Sequence, residues 1–377
     1  MTSILMPYAC KPEETKGRLY SENNERSLHR NNFQRDRDRI IHSTAFRKLD
    51  SKTQVFVNID SSSCFRTRLT HSLEVSQIAR TIARSMSLSE DLAEAIALAH
   101  DLGHAPFGHA GQEEINLAIK NLGMNIDCFE HNLQGLRIVD FLEKRYINFN
   151  GLNLCFETRE GILKHCSKEN AQKLGDIGAR FINGTNPSLE AQLVDYADEI
   201  AYNTHDIDDG LNYGLIELKD LQELYIFGKC FHDVKHLYSD TDEKFLILET
   251  IRSLINILVT DIINNSTNII QQINPKNVYD VRDKCNMIRF SEPIENYLNE
   301  IKRFLYLNLY RHDVVLKAAS KGRHIIKTLF EIYMNDYRLL PKEILCCYSD
   351  NINQQIIDYI SSMTDRDAIA CFKSFNR

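Results

Sequence analysis

Between Thr70 and Leu88, the residues His71, Val75, Ile78, Ile82 and Met86 recur at three- and four-residue spacing, which is the spacing of one face of an α-helix. This period constrains the chain more than any other feature, because it returns almost everywhere. Leu92, Ile96 and Ala99 repeat it from Ser89 to His100, with Ser87 and Ser89 placed as N-caps. The run GQEEINLAIKNLG closes on a glycine stop after Leu122. The stretches 131–146, 157–168, 188–206, 217–231, 243–263, 293–310, 312–333 and 350–362 follow the same rule. Strand-like alternation is confined to TQVFVNID, Thr53 to Asp60. Stripes of this period are buried by packing helix on helix, so the expected fold is an all-α helical bundle with additional C-terminal helices. The regions 147–156 and 169–187 read as looser. The Asn-rich stretch Ile263 to Asp280 reads as a long loop or a weak boundary. The expected organisation is a core over 1–280, with a basic N-terminal segment, and a C-terminal helical portion over 281–377.

With 377 residues, 43% hydrophobic and 26% charged, the chain can bury a substantial core. A net charge of −7 argues against a general nucleic-acid coat. The charge is uneven, however: Arg30 to Lys48 carries six basic residues against two acids, which suits a compact anion such as a nucleotide. Ten cysteines are scattered without a Cys-x-x-Cys pair and read as reduced, buried hydrophobes of a cytoplasmic protein. No signal peptide is expected from the N-terminal residues. The most apolar run, KFLILETIRSLINILVTDII, is interrupted by Glu249, Arg252 and Asp261, so no membrane span is expected.

The stretch HDLGHAPFGH, His100 to His109, holds three of the thirteen histidines in ten residues. Buried imidazoles need partners, which makes such a cluster costly as filler. His71 and His100 lie on the apolar faces of consecutive helices, and Asp101 adjoins His100; a cation among them would offset the burial cost. A further oxygen ligand is offered by SLEAQLVDYADEIAYNTHDIDDG, where Asp198, Tyr202 and Asp206 are four apart and share a face. Asp195, Glu199, Asp208 and Asp209 read as solvated acids.

This pattern, His71, then His100-Asp101, then Asp198, resembles the H…HD…D signature of HD-domain metal-dependent phosphohydrolases. More closely, RDRDRIIHSTAFRKLDSKTQVF, RTRLTHSLEV, AHDLGHAPFGHAGQEEIN, FEHNLQGLRIV, LEAQLVDYADEIAYNTHDIDDGL and LYRHDVV resemble, in order and spacing, the deoxyguanosine triphosphate triphosphohydrolase family, in its compact bacterial branch. The resemblance implies that His71, His100, Asp101 and Asp198 hold one divalent ion, manganese or magnesium foremost, with iron, cobalt, nickel or zinc as alternatives. It implies water attack on the α-phosphorus of a deoxynucleoside triphosphate, releasing deoxynucleoside and triphosphate. In that picture His131 orients or deprotonates the water, His104 and His109 face phosphate with His109 protonating the 5′-oxygen, and Arg68 meets the triphosphate. Gly103, Pro106 and Gly108 let the backbone aim both rings, and Glu130 and Glu113 are acids available to orient imidazoles, although Glu113 reads first as a surface glutamate. Gln54 and Asp206 match contacts to the 3′-hydroxyl, Tyr202 packs under the deoxyribose, Val55 borders the base, and Arg311 with His312 read equally as phosphate contacts or as a solvated helix end.

Two departures stand out. Glu199 takes the place of a phosphate-touching lysine of the vertebrate branch, and the chain is shorter than the long enterobacterial enzymes. The partners implied are a dNTP substrate, an activating nucleotide, weakly bound single-stranded nucleic acid, and further copies of the chain in a tetramer or hexamer. The rival readings are another HD phosphohydrolase, acting on a nucleoside monophosphate, cyclic dinucleotide or alarmone, and a non-catalytic nucleotide sensor.

Overall fold

The computed structural model describes residues 5–22, 29–55, 66–124, 126, 128–345 and 351–375. The elements that build the site and its support are α1 (Asn32–Ile41), α2 (Arg68–Ser85), α3 (Glu90–Ala99), α4 (Gly108–Asn121), α5 (His131–Arg137), α6 (Phe156–Ile162), α7 (Leu189–Asn212), α8 (Tyr225–Leu237), α9 (Glu243–Ile273), α10 (Glu292–Leu305), α11 (Asp313–Asn335), α12 (Ile352–Ser361) and α13 (Asp365–Phe375). Shorter helical turns join them, and the described residues contain no strand, only the isolated bridges Arg18–Cys155 and Thr53–Thr67. The fold is all-α, as the periodicity requires. Residues 56–60 of the strand-like stretch lie outside the described residues.

The sequence starts the helices α2, α3 and α7 each with its own cap. The Thr67 side chain accepts from the Thr70 N–H while the Thr70 side chain answers the Thr67 N–H, which opens α2 with two amides satisfied. Ser89 caps α3 by accepting from the Leu92 N–H, and Ser188 caps α7 by accepting from the Ala191 N–H. Val75, Ile78 and Ile82 of α2 then bury against Leu92 and Ile96 of α3 and Leu193, Ala197 and Ile200 of α7. Each such side chain contributes about 1.5–3 kcal/mol of burial.

Several stretches differ from the sequence expectation: the helix expected over 157–168 ends at Ile162, and the one expected over 217–231 is broken between Gln222 and Tyr225. The Asn-rich segment is no loop, because α9 continues to Ile273. Ile262, Ser266, Ile269 and Ile270 keep the buried stripe, and the asparagines fall on the outer side. The helix stops at Asn274, which takes the left-handed conformation (φ 51°) before Pro275. The expected helix 131–146 is helical only to Arg137, continuing as a wider π-type turn through Leu142. The region 169–187 is partly helical, with turns at Lys168–Lys173 and Ala179–Asn183.

One hydrophobic cluster runs from Ala9 to Leu309 and takes in Met287, Ile288, Phe290, Leu298, Ile301 and Leu305, so burial is continuous across residue 280. A second cluster joins Ile325, Phe330, Tyr333, Ile357, Ile360 and Ala368 to Phe107, Ile115 and Ile119. The helices α11–α13 thus form the backing of α4. No described helix is long and apolar enough to cross a membrane.

Candidate metal centre and active site

Helices α2, α3 and α7 deliver the four expected ligands to one point. His71 sits in the first turn of α2, His100 caps the C-terminus of α3 with Asp101 next to it, and Asp198 comes from α7. His71 Nε2 lies 3.0 Å from Asp198 Oδ1 and 3.9 Å from Asp101 Oδ2. His100 Nε2 lies 3.2 Å from Asp101 Oδ1 and 3.7 Å from Asp198 Oδ1. One ligand atom each from His71, His100 and Asp101 falls within 4.8 Å of the others.

The tautomer of His100 follows from its surroundings. Its Nδ1 is 2.6 Å from the Ala97 carbonyl, which only accepts, so the hydrogen is on Nδ1 and Nε2 offers a lone pair inward. That Nε2 is buried and has no hydrogen-bond partner. Two carboxylates and two imidazoles with a vacant inward lone pair are the donor set a divalent transition ion takes. Burial alone would raise the Asp101 carboxyl, but His100, Arg68 and His104 hold it well below the usual range. At Asp198 burial is likewise overcome, by Lys164 and His100.

A polar ring surrounds this centre. Arg68 opens α2 and donates from Nη1 to Asp101 Oδ2 at 2.8 Å, while its buried Nε has no partner. His104 Nε2 stands 3.1 Å from Asp101 Oδ1, and its buried Nδ1 is also without a partner. His104 stacks on His131, and His109 meets His104 edge-on at 6.1 Å between centroids. The three rings meet because the loop turns where glycine was expected to let it. A Cβ on Gly103 would lie 1.9 Å from the His131 carbonyl oxygen, so only glycine lets the loop rest on α5. Gly108 has φ +59°, and its open side faces Arg68 Nη2. Phe107 is also left-handed (φ 62°) and is held there by donating its N–H to Asp365 Oδ1 at 2.9 Å.

His131 is oriented by neither Glu130 nor Glu113. Gln112 Oε1 lies 3.1 Å from His131 Nδ1 and accepts from its backbone N–H at 3.3 Å, whereas Glu113 is exposed and pairs with Arg323. An amide oxygen only accepts, so His131 carries its hydrogen on Nδ1 and leaves Nε2 as a base. Burial lowers its pKa to about 4. His104 is held well below its ordinary value by burial, Arg68 and His131, and His109 is lowered by burial and Arg68.

On the far side, α7 presents Asp198, Tyr202 and Asp206 along one face. Asp206 accepts from the Tyr310 hydroxyl, and the buried Gln54 Oε1 has no partner. Val55 is half-buried against the main core. Arg311 is exposed and lies over the Tyr306 ring at 5.0 Å, and His312 caps α11 by accepting from the Val314 N–H; Tyr310 of that segment bonds to α7. Asp208 and Asp209 are not solvated but buried, both paired with Arg66. Glu199 pairs with Lys302 and Asp195 with Lys164.

Several residues of the site have no signal in local spacing. Lys164, just beyond α6, places Nζ 2.9 Å from Asp198 Oδ2 and 3.2 Å from Asp195 Oδ1. The buried amine of Lys52 donates to the carbonyls of His104 and Ser361, and burial lowers its pKa to about 7. Asp365, which opens α13, also accepts from the Thr53 N–H at 3.1 Å, bracing the chain beside Gln54. His205 and Gln112 are legible only as partners of His71 and His131.

The chain matches the HD domain over residues 68–203 and a phosphohydrolase-associated domain over residues 288–374. It is 52% identical to the deoxyguanosinetriphosphate triphosphohydrolase-like protein of Bordetella pertussis over 97% of this chain and 94% of that one. For the proteins of the same name from Nitrosomonas europaea and Ralstonia pickettii the identity is also 52%, over 98% and 97% of this chain and 97% and 92% of theirs. Half the residues are thus shared along nearly the whole of both chains, and His71, His100, Asp101 and Asp198 all fall inside the HD match. On this evidence the protein belongs to the deoxyguanosinetriphosphate triphosphohydrolase-like family of HD-domain phosphohydrolases.

Proposed function

We propose that the protein hydrolyses deoxynucleoside triphosphates to deoxynucleoside and inorganic triphosphate, dGTP or several dNTPs being its substrates. The observation that carries this reading is the set Arg68, His104, His109 and His131 gathered beside the four-ligand cluster, with buried nitrogens on Arg68 and His104 left without partners. A monophosphate needs fewer donors than this. His71, His100, Asp101 and Asp198 would hold one divalent ion, manganese or magnesium foremost. Bound there, the ion supplies Lewis acidity at the α-phosphate and to water.

The chain's own residues divide the remaining work. His131 Nε2, unprotonated at neutral pH, takes the proton of the attacking water as its oxygen bonds to the α-phosphorus. The bond from phosphorus to the 5′-oxygen breaks, and His109 gives that oxygen its proton. His109 is neutral in the free protein, but a triphosphate beside it favours the charged ring. Arg68 and His104, both buried, offer donors to the phosphates. The 3′-hydroxyl donates its one hydrogen to Asp206 and accepts from the Gln54 side-chain amide, and Tyr202 fills the space a 2′-hydroxyl would need.

The test is product analysis with Mn²⁺, each of the four dNTPs, and GTP. The expected result is deoxynucleoside with intact tripolyphosphate, no turnover of GTP, and loss of both products in His131→Ala. Deoxynucleoside monophosphate with pyrophosphate, or diphosphate with phosphate, would overturn the proposed site of attack.

A further inference from the structure

His71 and His205 meet in a contact closed to solvent. His71 Nδ1 lies 2.9 Å from His205 Nε2, the rings stand edge to face at 5.0 Å and 85°, and the residues are 1% and 3% exposed. Two imidazole nitrogens at this distance share one hydrogen, so one donates and the other accepts. A His71 that offers its Nε2 lone pair to a metal keeps its hydrogen on Nδ1. The bond then runs from His71 to His205, and His205 carries its own hydrogen on Nδ1. That nitrogen faces Asp206 Oδ1 at 2.9 Å, off the line of a straight hydrogen bond, so the pair attracts as a dipole and a charge. The other Asp206 oxygen accepts from Tyr310. Every proton position from the ligand to the carboxylate is fixed by the first. His100, by contrast, is oriented by the Ala97 carbonyl and connects to nothing further.

We propose that His205 is a positioning residue that links the metal centre to the sugar subsite: it holds His71 in the ligating tautomer and sets the polarity of the Asp206 carboxylate through one ring. This rests on the reading above that His71 is a ligand and that Asp206 meets the deoxyribose. A ring oriented from behind presents its lone pair more firmly, and losing such an outer partner typically costs about 10–100-fold in metal affinity. Asp206 and His71 face opposite edges of His205, so metal occupancy and sugar binding favour the same orientation of that ring.

Two variants separate the halves. His205→Gln keeps an oxygen acceptor near the Nε2 position and loses the donor toward Asp206. His205→Asn keeps a donor near the Nδ1 position and no longer reaches His71. Free Mn²⁺ is followed by electron paramagnetic resonance during titration of each full-length protein without nucleotide. Circular dichroism and thermal midpoints in EDTA verify that each variant is folded. The expected result is an Mn²⁺ affinity down about 10–100-fold in His205→Asn but near wild type in His205→Gln. At saturating Mn²⁺ the order reverses for KM of the deoxynucleotide, which rises more in His205→Gln, with kcat less affected. Wild-type Mn²⁺ affinity in His205→Asn, or the same pattern in both variants, overturns the link. Mn²⁺ binding by the wild type that survives His71→Ala instead overturns the ligand assignment on which it rests.

Discussion

The imidazoles of His104 and His131 lie face to face, 4.0 Å between centroids with planes 14° apart. At that separation a proton on one ring disfavours a proton on the other, and His131 is among the groups that hold His104 low. The stack therefore divides labour. A phosphate approaching the unpartnered Nδ1 of His104 draws a proton onto that ring, and the neighbouring ring stays neutral and able to accept.

The proton-accepting role proposed for His131 carries a pH signature. With its pKa near 4, the ring is unprotonated through the neutral range. Accordingly kcat/KM should rise with pH through about 4, and fall again at higher pH as His109, which must be protonated to serve the 5′-oxygen, loses its proton. Gln112→Glu replaces the amide acceptor of the Nδ1 hydrogen with a charge, which favours the imidazolium by about 1–3 units and moves the acid limb to higher pH. A limb that stays in place would assign it to another group. The same depression acts on stability. Unfolded, the ring titrates near its ordinary 6.5 and binds more protons than the folded protein down to about 4, so metal-free stability should climb with pH across that window. Urea midpoints at either end of the window check the sign.

Lys164 neutralises Asp198 from the side away from His71. Removing one partner of a buried pair costs about 3–5 kcal/mol, and with Asp198 23% exposed the loss in Lys164→Met should be nearer about 1–3 kcal/mol. Saturating Mn²⁺ should recover part of it, because the ion replaces the missing cation and binds only the folded chain. Thermal midpoints with and without Mn²⁺ measure both halves; an equal loss in the two conditions would separate Lys164 from the metal centre.

Asp365 serves two backbone amides at once, those of Thr53 and Phe107. Asp365→Ala leaves both buried without an acceptor, at about 1–3 kcal/mol each. Turnover should fall while Mn²⁺ affinity holds, since none of the four ligands touches Asp365. Parallel loss of metal affinity would show that the brace acts on the whole centre and not on its phosphate side.

Gly103→Ala tests the seating of His131. The added methyl would stand 1.9 Å from the His131 oxygen and 2.2 Å from the Gly135 nitrogen, so α5 must withdraw. A shift of about 1 Å in a catalytic base costs about 10²-fold in rate, and that is the fall expected in kcat. Unchanged kcat in a folded variant would remove His131 from the reaction.

What could be read from the sequence follows from how each group is held. His71, His100 and Asp198 lie on amphipathic faces whose period is visible in the chain itself, and Asp101 adjoins one of them, so the quartet is legible before any contact is known. Lys164 and Gln112 are not, because their meaning lies in a partner many residues away and their own neighbours say nothing of it. The asparagines of α9 mislead for a related reason: their polarity suggests a loop, but they occupy the outer side of a helix whose isoleucines continue inward. Asp208 and Asp209 look solvated until Arg66, far upstream, is folded against them.

The brace from Asp365 to Thr53 and Phe107 also sets a schedule. On the ribosome His71, His100, Asp101 and Asp198 are all made well before Asp365. At about 5–20 residues per second the wait is roughly 10–30 s. During that interval a nascent chain can gather its ligands but cannot fix the loop that aims His104 and His109. On the proposed reading, competence to attack a nucleotide is therefore postponed until α13 has been made, and a chain cut short ahead of α13 would keep the candidate ligands together but leave the phosphate side unbraced.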